Sequence, residues 1–425
     1  MQDLLTLRGL METLKWLTLL VLLGCYSLAV SRRIRLSLVS LASALLLLLA
    51  GALSPQEAVH SIRWSVLSLY WGFLLLSLLF SESGLPSLLA HRLLRASKSP
   101  GGALFLLCCL TALFSAFLEN VGVVLMMAPI ALELSRRTRT SPFLPLISVA
   151  LSSNIVTTVS MISDPPALLL ASQTGMGFTD FYLFRGRPGL GVLSGLGAAL
   201  GLLTLYLLHF RRLAGRMRVE GRKVRVDYSP LVLFGAGILL LSLDPHLQLG
   251  PGLIGMGVGV GSLLLGGRRA KKMIAEFDWD SLLFLLGIFV VIGAAQNVGL
   301  LEDLARGLAS LRLGPSATLA LLVWMSVALS SFIDNVPFTV LMLPVCANLG
   351  SSLGIDPLPL MYGMLVGTGI GGNLTPVGAA AQVFACRMLE KKGHRLRLTE
   401  YLKLSLPLTL VSVSVTHLLL QLLWL

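Results

Sequence analysis

Charged residues are scarce in this chain, and their scarcity decides its class. They make up 12% of the 425 residues, against about 25% in soluble proteins. Apolar residues reach 55%, and the mean hydropathy is +0.86. This composition excludes an ordinary soluble domain. It predicts an all-α polytopic membrane protein whose surroundings are the lipid bilayer.

Cysteine is also scarce, and no common catalytic motif is present. The five cysteines show no CxxC spacing, so neither a disulfide framework nor a zinc site is expected. No P-loop, metalloprotease, kinase or nucleophile-elbow pattern accompanies the apolar runs. We therefore expect neither an enzyme nor an ATP-driven pump, and no cofactor. The cysteines are Cys25, Cys108, Cys109, Cys346 and Cys386.

The net charge of +13 comes from short basic clusters between the apolar runs. Such clusters are typical of the cytoplasmic loops of a membrane protein. We therefore expect no nucleic-acid partner, and we place the protein in the cell (inner) membrane with these loops in the cytoplasm. The clusters lie at residues 32–35, 91–98, 136–139, 211–225, 268–272 and 391–397.

The chain repeats itself at an offset of 215 positions. Residues 64–129 overlie residues 279–344 without a gap. Each copy places an acid beside an asparagine inside an apolar run. A carboxylate at membrane depth costs about 2.5 to 3.5 kcal/mol on insertion scales, so each pair is a candidate functional site. The two pairs are Glu119-Asn120 and Asp334-Asn335.

Ten apolar runs are long enough to cross a bilayer of about 30 Å. Two further runs, 102–134 and 317–349, carry the acid–asparagine pairs at their middles, and we predict that each is a re-entrant hairpin. The ten crossing runs are 17–30, 36–53, 65–80, 143–171, 190–208, 230–243, 252–266, 281–295, 358–388 and 402–423.

With the hairpins counted as non-crossing, all basic clusters fall on one face and both chain ends face outward. Five crossings then separate Trp64 from Trp279, so the two repeats are predicted to be inverted. We divide the chain into N-terminal spans at 1–60, a first repeat at 61–208, a basic linker with two spans at 209–275, and a second repeat at 276–425.

Polar residues interrupt the span that follows each hairpin, at 143–171 and 358–388. Small polar residues and proline free backbone groups, which is tolerated only where they line a protein cavity. Half-helix ends then point inward, where N-termini favour anions and C-terminal carbonyls favour cations. We predict one central site for substrate and ion, built from Glu119, Asn120, Ser153, Asn154, Thr157, Thr158, Asp164, Asp334, Asn335, Gly372, Asn373 and Thr375.

Plainer interpretations stay open for the same residues. The asparagines could hydrogen-bond across helices for packing, worth about 0.6 kcal/mol each. Glu119 and Asp334 could be structural acids, and Asp164, beside two prolines, could only cap a half-helix. No metal site is expected, apart from a Na⁺ position at Asp334 and Glu119.

The hairpin and break motifs resemble those of the ion transporter superfamily, within its arsenite permease, sodium/proton antiporter and silicon-efflux branch. The resemblance covers about residues 64–388. It implies two inverted repeats, each with a re-entrant hairpin and a broken helix, alternating access, and a homodimer. It rests on Ser115 to Val121, Ser330 to Pro337, Ser153-Asn154-Ile155 leading to Asp164-Pro165-Pro166, and Asp278-Trp279 before Leu285 to Phe289.

Two cargo hypotheses follow, and both use H⁺ or Na⁺ as the coupling ion. In the first, a small inorganic solute such as arsenite, antimonite or silicic acid leaves in exchange for protons. In the second, the protein is a Na⁺ or Li⁺/proton antiporter. A Na⁺-coupled dicarboxylate or citrate-type symporter is third, because carboxylates at both tips would repel a dianion. A membrane scaffold that does not transport is the weakest hypothesis.

Overall fold

The computed structural model describes residues 2–31, 34–97, 99–138, 140–213, 225–394 and 396–425. In these ranges the chain forms twenty α-helices and one two-stranded sheet, β1 (Leu183–Phe184) and β2 (Arg187–Pro188). Parts of the predicted basic clusters, at residues 32–33, 98, 139, 214–224 and 395, lie outside the described residues. The protein is all-α and polytopic, as its composition predicts.

The helices of the first half are α1 Gln2–Ser31, α2 Leu36–Leu49, α3 Pro55–Ser61, α4 Trp64–Ser81, α5 Leu85–Ala96, α6 Pro100–Ser115, α7 Asn120–Thr138, α8 Phe143–Asn154, α9 Pro165–Thr174 and α10 Leu190–Leu208. Those of the second half are α11 Ser229–Leu247, α12 Pro251–Gly266, α13 Ala270–Glu276, α14 Trp279–Asn297, α15 Leu300–Ala309, α16 Pro315–Ser330, α17 Asn335–Leu353, α18 Leu358–Gly371, α19 Ala380–Lys391 and α20 Leu398–Trp424.

Eight helices of the second half repeat eight helices of the first. Helices α12 to α19 begin at the positions that correspond, by the offset of the sequence repeat, to the first residues of α2 to α9. The helix order therefore repeats over more of the chain than the residues that match in sequence. The inversion of the two halves across the bilayer stays a prediction, as do the domain boundaries.

Local sequence explains where the helices begin and end. Proline, whose fixed φ suits the first turn and which needs no helical N–H partner there, starts α6, α9, α12 and α16. Gly175 and Gly354 end α9 and α17 in the left-handed region, at φ 71° and 67°. Glycine adopts this conformation without strain.

Two close helix crossings correspond between the halves. Helix α4 packs on α12, and α14 packs on α2. A Cβ at Gly72 would lie 1.8 Å from the carbonyl oxygen of Gly255, and a Cβ at Gly287 would lie 2.5 Å from Ser40 Oγ. Small residues let helix backbones approach in this way, so Gly72, Gly255 and Gly287 permit the two close crossings.

Six described helices are long and apolar enough to cross a membrane: Trp64–Ser81, Leu190–Arg212, Ser229–Leu247, Trp279–Asn297, Asn335–Leu353 and Leu398–Trp424. Five shorter apolar helices accompany them. One of the six, α17, is an arm of the second predicted hairpin. Re-entry of the hairpins therefore stays a prediction.

The predicted interruptions are present. Helix α8 ends at Asn154 and α9 begins at Pro165, while α18 ends at Gly371 and α19 begins at Ala380. In the first break, Ser163 Oγ donates to the carbonyl oxygens of Thr157 and Ser160, both at 2.7 Å. Side-chain hydroxyls thus satisfy backbone groups that the broken helix leaves free.

Candidate functional site

The first hairpin turns between α6 and α7, and Glu119 ends this turn. Its carboxylate accepts hydrogen bonds from the backbone N–H of Val121 at 2.9 Å and of Gly122 at 2.7 Å. A carboxylate at the positive end of a helix is favourable. Glu119 therefore caps α7 while it faces the space beyond the tip.

The second hairpin repeats this arrangement between α16 and α17. Asp334 is the N-cap of α17 and accepts from the backbone N–H of Val336 at 3.2 Å. Both acids thus have a structural role, which the sequence leaves open, because each caps the helix that follows it. Both acids also line a cavity, so capping is not their whole environment.

A serine holds the asparagine beside each acid. Ser115 Oγ donates to Asn120 Oδ1 at 2.7 Å, and Ser330 Oγ donates to Asn335 Oδ1 at 2.7 Å. The two serines themselves occupy equivalent positions of the sequence repeat. The structure thus places both asparagine side chains by the same hydrogen bond, and both asparagines are buried at the cavity wall.

The two tips and the first break meet around one cavity of about 450 Å³. Six of the twelve predicted site residues line it: Glu119, Asn120, Asn154, Asp164, Asp334 and Asn335. Its apolar walls come from the tips and from α14 and α19, and they include Val121, Phe284, Leu285, Phe332, Val336 and Ala381.

Asp164 occupies the N-cap position of α9, but its side chain accepts no capping hydrogen bond. Its carboxylate lines the cavity together with Pro165. Capping alone therefore does not explain an aspartate at this position.

The two broken helices hold each other behind the cavity. Asn154 Nδ2 donates to the carbonyl oxygen of Gly369 at 2.9 Å, and Asn373 Nδ2 donates to that of Leu151 at 3.3 Å. Gln382 Nε2 donates to Asn373 Oδ1 at 2.6 Å. Asn154 therefore faces the cavity while it binds the opposite half, and Asn373 lies in the packing between the halves.

The remaining predicted site residues also lie behind the cavity wall. Ser153 Oγ donates to the carbonyl oxygen of Asn120 at 3.0 Å. Thr157 and Thr158 are buried, with hydroxyls that have no hydrogen-bond partner among the described residues. Gly372 packs near Asn335 Oδ1, and Thr375 Oγ1 donates to the carbonyl oxygen of Ser331.

Sequence reasoning did not assign five polar residues that line the same cavity: Arg35, Tyr70, Asp278, Asp280 and Ser281. The backbone N–H of Ser281 donates to Asp278 Oδ1 at 3.1 Å. The backbone N–H of Ser37 donates to Asp280 Oδ1 at 3.2 Å, so Asp280 ties α14 to the start of α2. The Asp-x-x-Ser spacing marks Asp278 only as a helix cap, and a lone tyrosine in an apolar span gave no signal for Tyr70.

The cavity is acidic. Five carboxylates and one arginine line it, and Asp278 and Arg35 are exposed while the other four acids are half-buried. Among the described residues, no group of three or more acids, histidines or cysteines has the arrangement of a metal site. Such a lining attracts protons and small cations and repels multiply charged anions.

A second cavity of about 530 Å³ lies at the other end of α14 and α9. Its lining includes Glu57, His60, Arg63, Gln173 and Asn297. Arg63 Nη1 donates to Ser172 Oγ at 3.1 Å, and its other Nη donates to Gln173 Oε1. The two polar cavities thus lie at opposite ends of α9 and α14.

Several known proteins are similar to this chain in sequence or in fold. An uncharacterized transporter of Mycobacterium bovis is 29% identical over 409 residues, which cover 93% of this chain and 95% of that protein. The human P protein is 26% identical over 502 aligned residues, which cover 96% of this chain and 60% of the P protein. The YdaH transporter of Alcanivorax borkumensis has a similar fold, with a TM-score of 0.59 at 17% identity over 97% of this chain and 98% of that one.

The profile of the family described as Citrate transporter, CitMHS, matches residues 26–367. The match spans most of the chain, including both tips and most of the residues that line the cavity. This is a family of transporters within the ion transporter superfamily, and not a family of enzymes. The chain belongs to the CitMHS citrate transporter family and is a multi-pass membrane transporter.

Proposed function

We propose that the protein is a secondary transporter that exports a small inorganic hydroxide, such as arsenite, antimonite or silicic acid, in exchange for protons. The observation that carries this proposal is the acidic cavity at the two hairpin tips. Its half-buried carboxylates can each bind a proton from one side of the membrane and release it to the other. The cargo is neutral near pH 7, so these carboxylates do not repel it.

The shape of the cavity supports a molecular cargo. Its volume of about 450 Å³ falls in the range of about 300–1,000 Å³ that is typical of small-molecule sites. Apolar side chains such as Phe284 and Phe332 form part of its wall. Backbone N–H groups already engage Glu119 and Asp334. Fewer carboxylate oxygens are then left to surround a bare cation.

A Na⁺ or Li⁺/proton antiporter is the second candidate, and the new acids of the cavity favour it. Asp278 and Asp280 add two carboxylates to the three that sequence reasoning assigned. Oxygen ligands suit hard cations. A Na⁺ ion near Asp334 and Glu119 would then be the cargo, with protons as its exchange partner.

The family description names citrate, which makes a citrate-type symporter the third candidate. Five carboxylates around the cavity oppose a free citrate trianion, because like charges in a partly buried site repel strongly. Citrate would fit this lining only with its charge reduced by a bound metal cation.

Transport assays in proteoliposomes separate the three candidates. Vesicles with an acid interior and a trapped pH dye receive Na⁺, Li⁺ or K⁺ in turn, and then arsenite, antimonite, silicic acid and citrate with or without Mg²⁺. Solute flux driven by the proton gradient, without a dye response to the three cations, is the expected result. Dye recovery with Na⁺ or Li⁺ would replace the first candidate by the second.

Two variants link the result to the cavity. Asp334→Asn is expected to abolish proton-coupled flux, since the amide cannot carry the proton. Glu390→Gln, an exposed acid at the end of α19, serves as the matched control and is expected to transport normally. Normal transport by Asp334→Asn across the pH range would show that Asp334 has no coupling role.

A further inference from the structure

The first half of the chain contains a small cavity beside the large one. Its volume is about 10 Å³, and its lining includes Tyr70, Glu119, Ser163 and Asp164. A cavity of about 10–15 Å³ that offers two to four polar partners is large enough for one water molecule. Apolar side chains of α4 and α9, among them Phe73, Leu74 and Leu168, close the remaining walls.

Three residues belong to both cavities: Tyr70, Glu119 and Asp164. They come from three separate segments, namely α4, the first hairpin tip and the end of the first break. Tyr70 is only 7% exposed, so its position is set by packing. The small cavity therefore lies against the tip acid, the acid of the break and Tyr70.

The second half lacks this arrangement. At the offset of the repeat, Tyr70 corresponds to Leu285 and Asp164 to Ala379, while Glu119 corresponds to Asp334. Ala379 holds the N-cap position of α19 just as Asp164 holds that of α9. One tip acid thus has a tyrosine and a second acid beside it, and the other has a leucine and an alanine.

We infer that Tyr70 is a positioning residue for proton transfer, and that it orders a single water which relays a proton between Glu119 and Asp164. This inference rests on the proton coupling in the proposed function. The protonated Glu119 gives its proton to the water, and the water gives one of its protons to the Asp164 carboxylate. Glu119 ends as the carboxylate and Asp164 as the acid, while the water and the Tyr70 hydroxyl return unchanged.

Other charged groups face this trio and set its surroundings. Asp278, Asp280, Asp334 and Arg35 line the large cavity together with this trio. Ser281 of α14 lines it as well. The test must therefore compare variants that leave these groups in place.

The experiment uses purified full-length protein in detergent, without cargo. A stopped-flow pH jump with an indicator dye follows proton uptake. Glu119→Gln and Asp164→Asn should each remove the same uptake phase, because the relay makes them one proton-binding unit. Tyr70→Phe should slow that phase about tenfold, the rate equivalent of one lost hydrogen bond to the water. Tyr206→Phe, a tyrosine outside both cavities that packs on Phe105, should leave it unchanged.

A second variant tests the water independently of the hydroxyl. Leu74→Phe adds side-chain volume beside the small cavity and keeps Tyr70, so it should slow the same phase. If Tyr70→Phe does not fold, Leu74→Phe still tests the relay. The wild-type rate in a folded Tyr70→Phe or Leu74→Phe protein would overturn the relay, as would an uptake phase that Asp164→Asn does not change.

This experiment and the flux assay can fail separately. A proton phase shared by the two acids, without flux of any tested solute, would support the relay and refute the proposed cargo. Solute flux in exchange for protons, with independent uptake by the two acids, would support the proposed function and refute the relay.

Discussion

The contact between α4 and α12 makes a quantitative prediction for Gly255→Ala. A Cβ at Gly255 would lie 2.4 Å from Leu69 Cα and 2.8 Å from Leu69 N. An unstrained contact needs about 3.5 Å, so the two helices would have to separate by about 1 Å. These atoms belong to the backbone of α4 and cannot rotate away. Overpacking of this kind costs roughly 1–3 kcal/mol.

Gly257→Ala is the matched control. Gly257 lies two residues further along α12, and a Cβ there would meet nothing within 4 Å. Both variants gain about 1 kcal/mol of intrinsic helix propensity. The difference between them is therefore the packing cost alone.

The assay is thermal unfolding of the detergent-solubilised protein, with folded protein quantified by size-exclusion chromatography after heating. Gly255→Ala should unfold several degrees below Gly257→Ala, since about 1 kcal/mol shifts Tm by about 2–4 °C in a domain of 150–250 residues. Equal midpoints for the two variants would refute the close approach of α4 and α12 at this glycine.

Three further predictions concern the site and its surroundings. Ser330→Ala should lower the free energy of unfolding by about 1 kcal/mol and weaken solute binding. The reason is that Asn335 loses the hydrogen bond that orients its amide. Unchanged affinity in an equilibrium binding titration would contradict this role. Asp334→Asn should flatten the pH dependence of flux in proteoliposomes, and a retained pH profile would exclude it as the coupling acid. Lys15 holds the pKa of Asp303 below its ordinary value, so the pair stabilises the protein above the ordinary pKa of aspartate and loses this contribution as the pH falls through the lowered value. The pair is partly exposed, so its contribution is below about 1 kcal/mol, and Asp303→Asn should remove this small acid-side dependence from pH-dependent unfolding curves.

Much of this fold could be predicted from the sequence, because membrane helices appear there as long apolar runs. The helix ends at both acid–asparagine pairs and both helix breaks occur where the sequence predicts interruptions. The full extent of the repeat could not be predicted from the sequence. Helices α2 and α12 begin at equivalent positions of the repeat, but helix–helix packing in a membrane accepts many combinations of apolar residues, so their sequences retain little similarity.

Only part of the site could be predicted from the sequence, for a related reason. A carboxylate inside an apolar run is unusual enough to be noticed, and Glu119, Asp164 and Asp334 all line the cavity. Asp278 and Asp280 lie at a helix start, where acids are common for capping, so nothing in the sequence separates them from ordinary caps. Only the approach of α2 to α14 brings them to the same cavity.

The two halves have kept their packing and changed their polar residues. Gly72 and Gly287 lie at equivalent close crossings, and Ser115 and Ser330 make equivalent hydrogen bonds. Other equivalent positions have diverged in charge. Arg63 lines the cavity of about 530 Å³ at one end of the protein. Its counterpart in the second half, Asp278, lines the acidic cavity of about 450 Å³.

If the protein works by alternating access, its equivalent helix crossings give it two related ways of packing its halves. The proton chemistry needs no such symmetry. Asp164 and Ala379 hold the same N-cap position in α9 and α19, yet only Asp164 can bind a proton. If the duplicated fold performs the movement and the paired acids of the first half relay the proton, Ala379→Asp should add a second proton-binding group beside Asp334. Proton uptake per molecule in the pH-jump assay should then rise, whereas unchanged uptake by the folded variant would show that the second tip cannot be given the chemistry of the first.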